Sequence, residues 1–159
     1  MTIERQAYRL CLKPLKKKSM QPNLVDRDLR LRIYLVEADP VIRERLAEWF
    51  LDQIGARLVG IAATEDEAGQ WLKSHPTAWD LAVVDLFLEK GSGLAVAQHC
   101  RKRNFKQKLV VLTDYATPDI RERSLLLGAD AVFDRTSELQ KFIDYAMNEV
   151  ERHQMNTIF

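Results

Sequence analysis

The chain has 159 residues, of which 47% are hydrophobic and 30% are charged, and these fractions are ordinary for one soluble globular domain. No stretch approaches the roughly 18 consecutive apolar residues of a transmembrane helix, so no membrane span is expected. The two cysteines, Cys11 and Cys100, lack the spacing of a metal site and are interpreted as reduced thiols of a cytoplasmic protein.

The net charge of +1 conceals a marked asymmetry along the chain. Residues 1–18 contain six basic residues and one acidic residue, whereas the rest of the chain has 18 basic and 22 acidic residues. Three regions are predicted: a flexible basic extension at 1–29, a folded domain at 30–152 and a short tail at 153–159. Three interpretations of the extension stay open. It is solvated, as Lys-rich runs usually are. It contacts an anionic partner such as nucleic acid or lipid headgroups. Or it is absent from the natural protein, whose translation would then start at Met20.

Within the domain, short apolar runs alternate with helical patterns. The runs predict five strands, at residues 31–36, 58–63, 81–84, 109–112 and 131–133. Asp39 and Pro40 are typical of a helix start. Helices are predicted after each strand, the third over about 94–103 and the fourth over 118–127, where Gly128 is typical of a helix end.

Five alternations of strand and helix predict an α/β fold, with a parallel sheet, helices on both faces and right-handed crossovers. In such open sheets, ligands bind outside the carboxyl ends of the strands. The residues at or just after those ends are Glu37, Asp39, Asp85, Thr113 and Arg135.

These strand-end residues form a chemically coherent set. Carboxylates gathered at one edge suit a hard cation such as Mg²⁺, while the hydroxyl of Thr113 and the guanidinium of Arg135 suit phosphoryl oxygens. A carboxylate beside them can act as a nucleophile and become an acyl phosphate, with catalysis by charge neutralisation and positioning. Asp39 has two interpretations, as a helix N-cap or as a metal ligand.

Three segments resemble the signatures of bacterial response-regulator receiver domains. Residues 80–94, which contain DLAVVDLFL and then GSGL, look like the acceptor segment. Residues 109–113 (LVVLT) resemble the fourth strand with its switch threonine, and residues 128–135 (GADAVFDR) resemble the fifth-strand signature. The resemblance extends over residues 31–150, with the motifs in the expected order.

This resemblance implies a flavodoxin-like, doubly wound, five-stranded sheet of order 2-1-3-4-5. It implies that Asp85 is the phosphoacceptor, and that Thr113 and Arg135 bind the phosphoryl group and take part in switching. It also implies that Mg²⁺ is held by Glu37, Asp85 and the backbone carbonyl of Phe87. The phosphoryl donor would be a histidine kinase or a phosphotransfer protein.

The sequences of residues 113–116 and 133–138 are similar to those of stand-alone receivers, which have no DNA-binding or enzymatic output domain. The resemblance therefore implies a single-domain response regulator that is not an enzyme and that signals to a downstream protein partner. A homodimer through the face formed by the fourth helix, fifth strand and fifth helix is a further expectation.

Three positions depart from the receiver pattern. Ala38 stands where a second acidic residue normally binds Mg²⁺, so the metal site is expected to be weak or absent. Arg135 replaces the usual lysine, is planar and bulkier, and has a surface acid, Asp114, as an alternative partner. Val132 is too small for the rotamer change of the usual aromatic switch.

Two functions stay open at this point. The first is a phosphorelay component that accepts a phosphoryl group, which Asp85 and Thr113 favour. The second is a degenerate receiver that acts as a phosphorylation-independent adaptor, which Ala38 and Val132 favour. A flavin- or nucleotide-binding protein on the same fold is disfavoured, because no glycine-rich phosphate loop follows the first strand.

Overall fold

A computed structural model describes residues 29–158, so the expectations for residues 1–28 lie outside the described residues. Five strands and five helices alternate along the described part of the chain. In chain order they are β1 (Arg32–Val36), α1 (Pro40–Ile54), β2 (Arg57–Ala62), α2 (Glu65–Ser74), β3 (Leu81–Val84), α3 (Gly93–His99), β4 (Lys108–Thr113), α4 (Pro118–Leu126), β5 (Ala131–Asp134) and α5 (Leu139–Ile158).

The strands form one parallel sheet in the order β2-β1-β3-β4-β5. This confirms the doubly wound, flavodoxin-like sheet with helices on both faces. The central strand β3 is buried along its whole length, as expected for a parallel strand that is covered on both sides. Since all strands point the same way, their carboxyl ends meet at one edge, which is called here the acceptor edge.

Two apolar clusters, one on each face, hold the sheet between the helices. On one face, α1 and α5 contribute Phe50 and Phe142, which pack with Leu35 and Val83 of the sheet. On the other face, Ala68 and Leu72 of α2 and Val96 and Ala97 of α3 pack against the sheet. Each helix thereby anchors the loops that carry the strand-end side chains.

Two predicted boundaries are wrong. The third helix ends at His99 rather than near residue 103, because the guanidinium of Arg103 donates to the carbonyls of Cys100 and Gln107 and holds a non-helical loop. The predicted tail at 153–159 is largely helical, since α5 continues through Ile158. Residues 139–159 contain no glycine or proline that would end the helix early.

Within residues 29–158, none of the helices combines the length and apolar character required to cross a bilayer.

Candidate functional site

The acceptor edge carries Asp85 at the end of the central strand. Its backbone amide donates to the carbonyl of Val36 at 2.9 Å, which extends the β1–β3 ladder by one residue and fixes the position of the carboxylate. Oδ1 accepts a hydrogen bond from the backbone amide of Leu86 at 2.7 Å. Asp85 is only 6% exposed, so its carboxylate lies in a recess rather than on an open surface.

Gly93, the first residue of α3, lets this helix approach the backbone of Asp85. A Cβ at position 93 would lie 2.1 Å from the carbonyl oxygen of Asp85, which no side chain could accommodate. The amide of Gly93 donates to the carbonyl of Leu86 at 3.0 Å. The close backbone contact at the site therefore explains why position 93 of the acceptor segment is glycine.

Glu37 follows β1 and is 2% exposed. Its Oε1 accepts a hydrogen bond from the amide of Asp39 at 3.1 Å, and its Oε2 accepts one from Nη1 of Arg135 at 2.9 Å. Both carboxylate oxygens are thus bonded within the protein. The sequence placed Glu37 and Arg135 at one edge, and the structure joins them in a buried ion pair.

Arg135 lies at the centre of the site, although it is 98 residues from Glu37 in the chain. Its Nε and Nη2 form a two-bond fork with Asp114, at 3.1 and 2.9 Å. Nη2 also lies 3.6 Å from Oδ2 of Asp85. The planar guanidinium has enough donors to serve all three carboxylates at once. The pairing of Arg135 with Asp114 is therefore confirmed, and its phosphoryl-binding role stays a prediction.

The loop after β4 is organised by the same contacts. Thr113 is fully buried, and its hydroxyl oxygen accepts a hydrogen bond from the amide of Tyr115 at 3.3 Å. The carbonyl of Thr113 accepts from the amide of Arg135 at 2.9 Å. Between Thr113 and Tyr115, the half-exposed Asp114 is held by Arg135, and the loop is tied to β5.

Excess negative charge dominates the electrostatics of the site, since one guanidinium faces three carboxylates. Burial and the nearby charge of Asp85 raise the pKa of Glu37 to about 7, against the opposing effect of Arg135. Burial also raises the pKa of Asp85, while Arg135 and the backbone amides of Leu86 and Phe87 oppose this rise. The carboxylates of this recess therefore outnumber its guanidinium groups, which favours the neutral form of a buried carboxyl.

A pH-dependent stability follows from the raised pKa of Glu37. Between the ordinary value of 4.5 and about 7, the folded protein binds more protons than the unfolded chain, so this contribution to stability is present at low pH and lost as the pH rises. The loss amounts to at most about 3 kcal/mol. Urea unfolding of Glu37→Gln should show a smaller fall in stability between pH 4.5 and 8 than the wild type. The control Glu48→Gln, at an exposed position of α1, should keep the wild-type slope; an unchanged slope in Glu37→Gln would contradict the assignment.

The side chain of Asp39 is used to begin α1. Its Oδ1 accepts hydrogen bonds from the amides of Val41 and Ile42 at 2.9 and 3.3 Å, so the N-cap interpretation is confirmed. Ala38, beside it, supplies no ligand at all. The second acidic position of a receiver therefore has no carboxylate in this chain. A role of Asp39 as a metal ligand stays a prediction from the sequence.

These contacts fit poorly with a tight Mg²⁺ site. Mg²⁺ requires near-octahedral oxygen ligands, but both oxygens of Glu37 and one of Asp85 already accept hydrogen bonds. Across residues 29–158, no three His, Cys, Asp or Glu side chains are arranged to hold a metal ion together. The guanidinium of Arg135 stands among the carboxylates as a cation supplied by the protein itself.

An exposed aromatic pair flanks the acceptor. Phe87, two residues past Asp85, and Tyr115 lie with ring centroids 4.7 Å apart in an edge-to-face arrangement, and both rings are more than half exposed. The pair connects the β3–α3 loop with the β4–α4 loop. Val132, at the usual aromatic switch position, is buried in the core of the other face of the sheet, so no switching aromatic lies there.

Sequence reasoning placed Glu37, Asp85, Thr113 and Arg135 at one edge, and the structure brings them together. It named Asp114 only as an alternative partner of Arg135 and did not identify Tyr115 as a neighbour of the acceptor. The available signal was that both residues directly follow the strand-end Thr113. Their pairing depends on loop conformation, which periodicity does not report.

The family of response regulator receiver domains matches residues 33–146, and the chain therefore belongs to this family. Receiver domains act in phosphorylation-based two-component signalling, are generally signalling domains rather than enzymes, and generally bind Mg²⁺ at the phosphorylation site.

Individual relatives agree with this assignment. The transcriptional regulatory protein MalR of Bacillus subtilis is 27% identical over 125 residues, which are 78% of this chain and 52% of that protein. The probable C4-dicarboxylate response regulator DctR of Priestia megaterium is 26% identical over 98 residues, 61% of this chain and 42% of that protein. The chain thus spans about half the length of these curated relatives.

Solved structures show the same fold at low identity. The beryllofluoride-activated receiver domain of RstA from Klebsiella pneumoniae superposes with a TM-score of 0.64 at 20% identity, covering 75% of this chain and 97% of that one. CheY in its complex with CheX, beryllofluoride and magnesium from Borrelia burgdorferi has a TM-score of 0.62 at 18% identity, covering 72% and 88%.

Proposed function

We propose that this chain accepts a phosphoryl group on Asp85 from a histidine kinase or a phosphotransfer protein, and then signals by protein–protein contact in the cytoplasm. The observation that supports this most is the position of Asp85, recessed at the end of the central strand, with Thr113 and Arg135 on the neighbouring strand ends. A site of this form binds a phosphoryl group by positioning and charge.

The proposed transfer uses groups that are present in the chain. An oxygen of Asp85 attacks phosphorus, the bond from phosphorus to the donor's histidine nitrogen breaks, and that nitrogen keeps the bonding electron pair. The products are an aspartyl phosphate and a histidine. Arg135, whose Nη2 is 3.6 Å from Oδ2 of Asp85, stabilises the charge on the phosphoryl oxygens. Because the residues fit Mg²⁺ poorly, the dependence on metal is proposed to be weak or absent.

We propose that a change in the hydrogen-bond partners of the Arg135 guanidinium transmits the signal. A phosphoryl group on Asp85 competes with Asp114 for the same guanidinium, and a dianion is the stronger partner. Loss of the Asp114 fork would free the β4–α4 loop and its neighbour Tyr115. This route does not need the aromatic rotamer change that Val132 cannot make.

Beryllofluoride, which mimics an aspartyl phosphate, tests these steps in the full chain. We expect shifts of the amide signals of Asp114 and Tyr115 in two-dimensional NMR on adding beryllofluoride, with little change when Mg²⁺ is added or chelated. Asp85→Asn should abolish the shifts, and Asp39→Asn, at the neighbouring N-cap, is the matched control that should keep them. A response that appears only with Mg²⁺, at sub-millimolar metal, would contradict the proposed metal independence.

A phosphorylation-independent adaptor is the second candidate function. It is favoured by the buried guanidinium of Arg135, which already lies against Glu37 and Asp85, the carboxylates that a metal and a phosphoryl group would use. Capture of a partner by wild type and by Asp85→Asn separates the two functions. Equal capture favours the adaptor, and reduced capture by the variant favours the phosphoacceptor. The stand-alone organisation, the absence of an enzymatic output and the homodimer through the α4–β5–α5 face stay predictions from the sequence.

A further inference from the structure

The edge of the sheet opposite the acceptor edge carries a concentration of basic residues. From residue 90 to residue 113 the chain has six Lys or Arg and no Asp or Glu. Five of the six lie at residues 101–108, which form the loop between α3 and β4 and the first residue of β4. Since α3 runs back from the acceptor edge, this loop lies at the amino-terminal edge of the sheet.

Four of these side chains are available for an external partner: Arg101, Lys102, Lys106 and Lys108, called here the basic edge. The first three are exposed and the fourth is half-buried. No salt bridge within residues 29–158 involves any of the four. Their positive charge is therefore not neutralised by the described part of the domain.

Two large, exposed apolar side chains lie on the two chain segments that Arg103 joins, Phe105 in the loop after α3 and Leu126 at the end of α4. Phe105 is 84% exposed and Leu126 is 71% exposed, the highest values among the large apolar side chains of residues 29–158. Single exposed apolar residues need no explanation. Here, however, Phe105 lies in the loop that carries the basic edge, with Nζ of Lys106 5.9 Å from its ring centroid. Leu126 ends α4 two residues before Gly128, whose carbonyl accepts from Arg103.

Arg103 holds the two connections together. Its guanidinium donates to the carbonyl of Gly128 and, at 2.8 Å, to the carboxylate of Asp130 in the α4–β5 connection. It also donates to Cys100 and Gln107 in its own loop. The loop of Phe105 and the end of α4 that carries Leu126 are thereby fixed relative to each other, so the surface is formed before any partner binds.

The sequence that precedes the described residues is also basic. Residues 1–18 carry six basic residues and one acidic residue, so the variants that test the basic edge differ only within residues 29–158.

We propose that the basic edge, with Phe105 and Leu126, docks on an anionic lipid surface. Lys and Arg near such a surface contribute about 1 kcal/mol each, and exposed aromatic and aliphatic side chains enter the interface between headgroups and acyl chains. The exposed aliphatic side chain of Leu126 favours a lipid surface over single-stranded nucleic acid, because apolar contacts to nucleic-acid bases are made by stacking on aromatic rings. In this orientation the acceptor edge faces away from the membrane, open to a phosphoryl donor.

Vesicle cosedimentation of the full chain tests the proposal. We expect binding to phosphatidylcholine vesicles that contain about one third phosphatidylglycerol, no binding to pure phosphatidylcholine, and release at about 1 M salt, where the screening length is about 3 Å. The double variant Lys102→Glu/Lys106→Glu should bind at least about 10-fold more weakly. Its charge-matched control is Lys90→Glu/Lys141→Glu, on the acceptor side of the sheet, which should bind better than the first variant.

The contribution of the apolar side chains to vesicle binding is tested with alanine variants. Phe105→Ala and Leu126→Ala should each weaken binding several-fold, whereas Leu51→Ala, at an exposed position of α1, should not. Equal binding of both double variants, or equal binding to charged and neutral vesicles, would overturn the proposal. Tighter binding to a single-stranded oligonucleotide than to the anionic vesicles would also overturn it. None of these outcomes depends on Asp85.

Discussion

Arg135→Ala should lower the free energy of unfolding by about 3–5 kcal/mol at neutral pH. The substitution leaves the buried Glu37 and Asp85 without the guanidinium that lies 2.9 and 3.6 Å from their oxygens. Removing one member of a buried ion pair is costly, because the remaining charge keeps its desolvation penalty. The loss should be smaller near pH 5, because the raised pKa of Glu37 makes that carboxyl neutral there. Urea unfolding at the two pH values measures both effects.

An exposed arginine provides the matched control for this variant. Arg123 forms an ion pair with Asp119 within α4, and both side chains are more than 60% exposed. Arg123→Ala should cost less than about 1 kcal/mol, because solvent screens surface pairs. If both alanine variants lost the same amount, Arg135 would not be holding a buried charge cluster together.

Gly93→Ala should be the second strongly destabilising change, with an expected loss of about 3 kcal/mol or more. The added Cβ would lie 2.1 Å from the carbonyl oxygen of Asp85 and 2.8 Å from Cα of Leu86. Backbone atoms cannot rotate away as a side chain can, so α3 or the acceptor segment has to move. The beryllofluoride response should be lost together with the stability, since the carboxylate of Asp85 is displaced.

Gly55 separates this steric effect from backbone strain. It has a φ of +61° as the C-cap of α1, but no atom lies within 4 Å of a Cβ built there. Gly55→Ala therefore tests the left-handed conformation alone, at about 1 kcal/mol. Thermal or urea unfolding of the two variants makes the comparison. Equal losses would mean that the close approach of α3 to Asp85 is not the reason for glycine at position 93.

Arg135→Ala and Gly93→Ala both perturb the recess that holds Asp85. Gly93 sets where the backbone of Asp85 lies, and Arg135 sets the charge that its carboxylate meets. The receiver family relies on Mg²⁺ for part of that charge, whereas this chain has Ala38 in place of one acidic ligand. The guanidinium of Arg135, bonded to Glu37 and Asp114, is the chain's own source of positive charge at that point.

Local sequence patterns determined the α/β class of the fold and the edge at which the site lies, while the strand order was implied by the resemblance to receiver domains. Alternating apolar runs and helical patterns specify five βα units, and the carboxyl ends of parallel strands must share an edge. Glu37, Asp85, Thr113 and Arg135 were therefore found as a set. The N-cap role of Asp39 was also predictable, because capping is a contact within four residues of the chain.

Only the tertiary structure decided how the set is connected. Arg135 meets Glu37 across 98 residues and Asp114 across 21, and such pairings depend on strand register and side-chain reach rather than on periodicity. The loop held by Arg103, which ends α3 early, and the ring contact between Phe87 and Tyr115 are decided in the same way. Sequence shows which groups reach an edge, because backbone direction is a local property. Which donor each carboxylate receives is set by long-range packing, because donor and acceptor come from different elements.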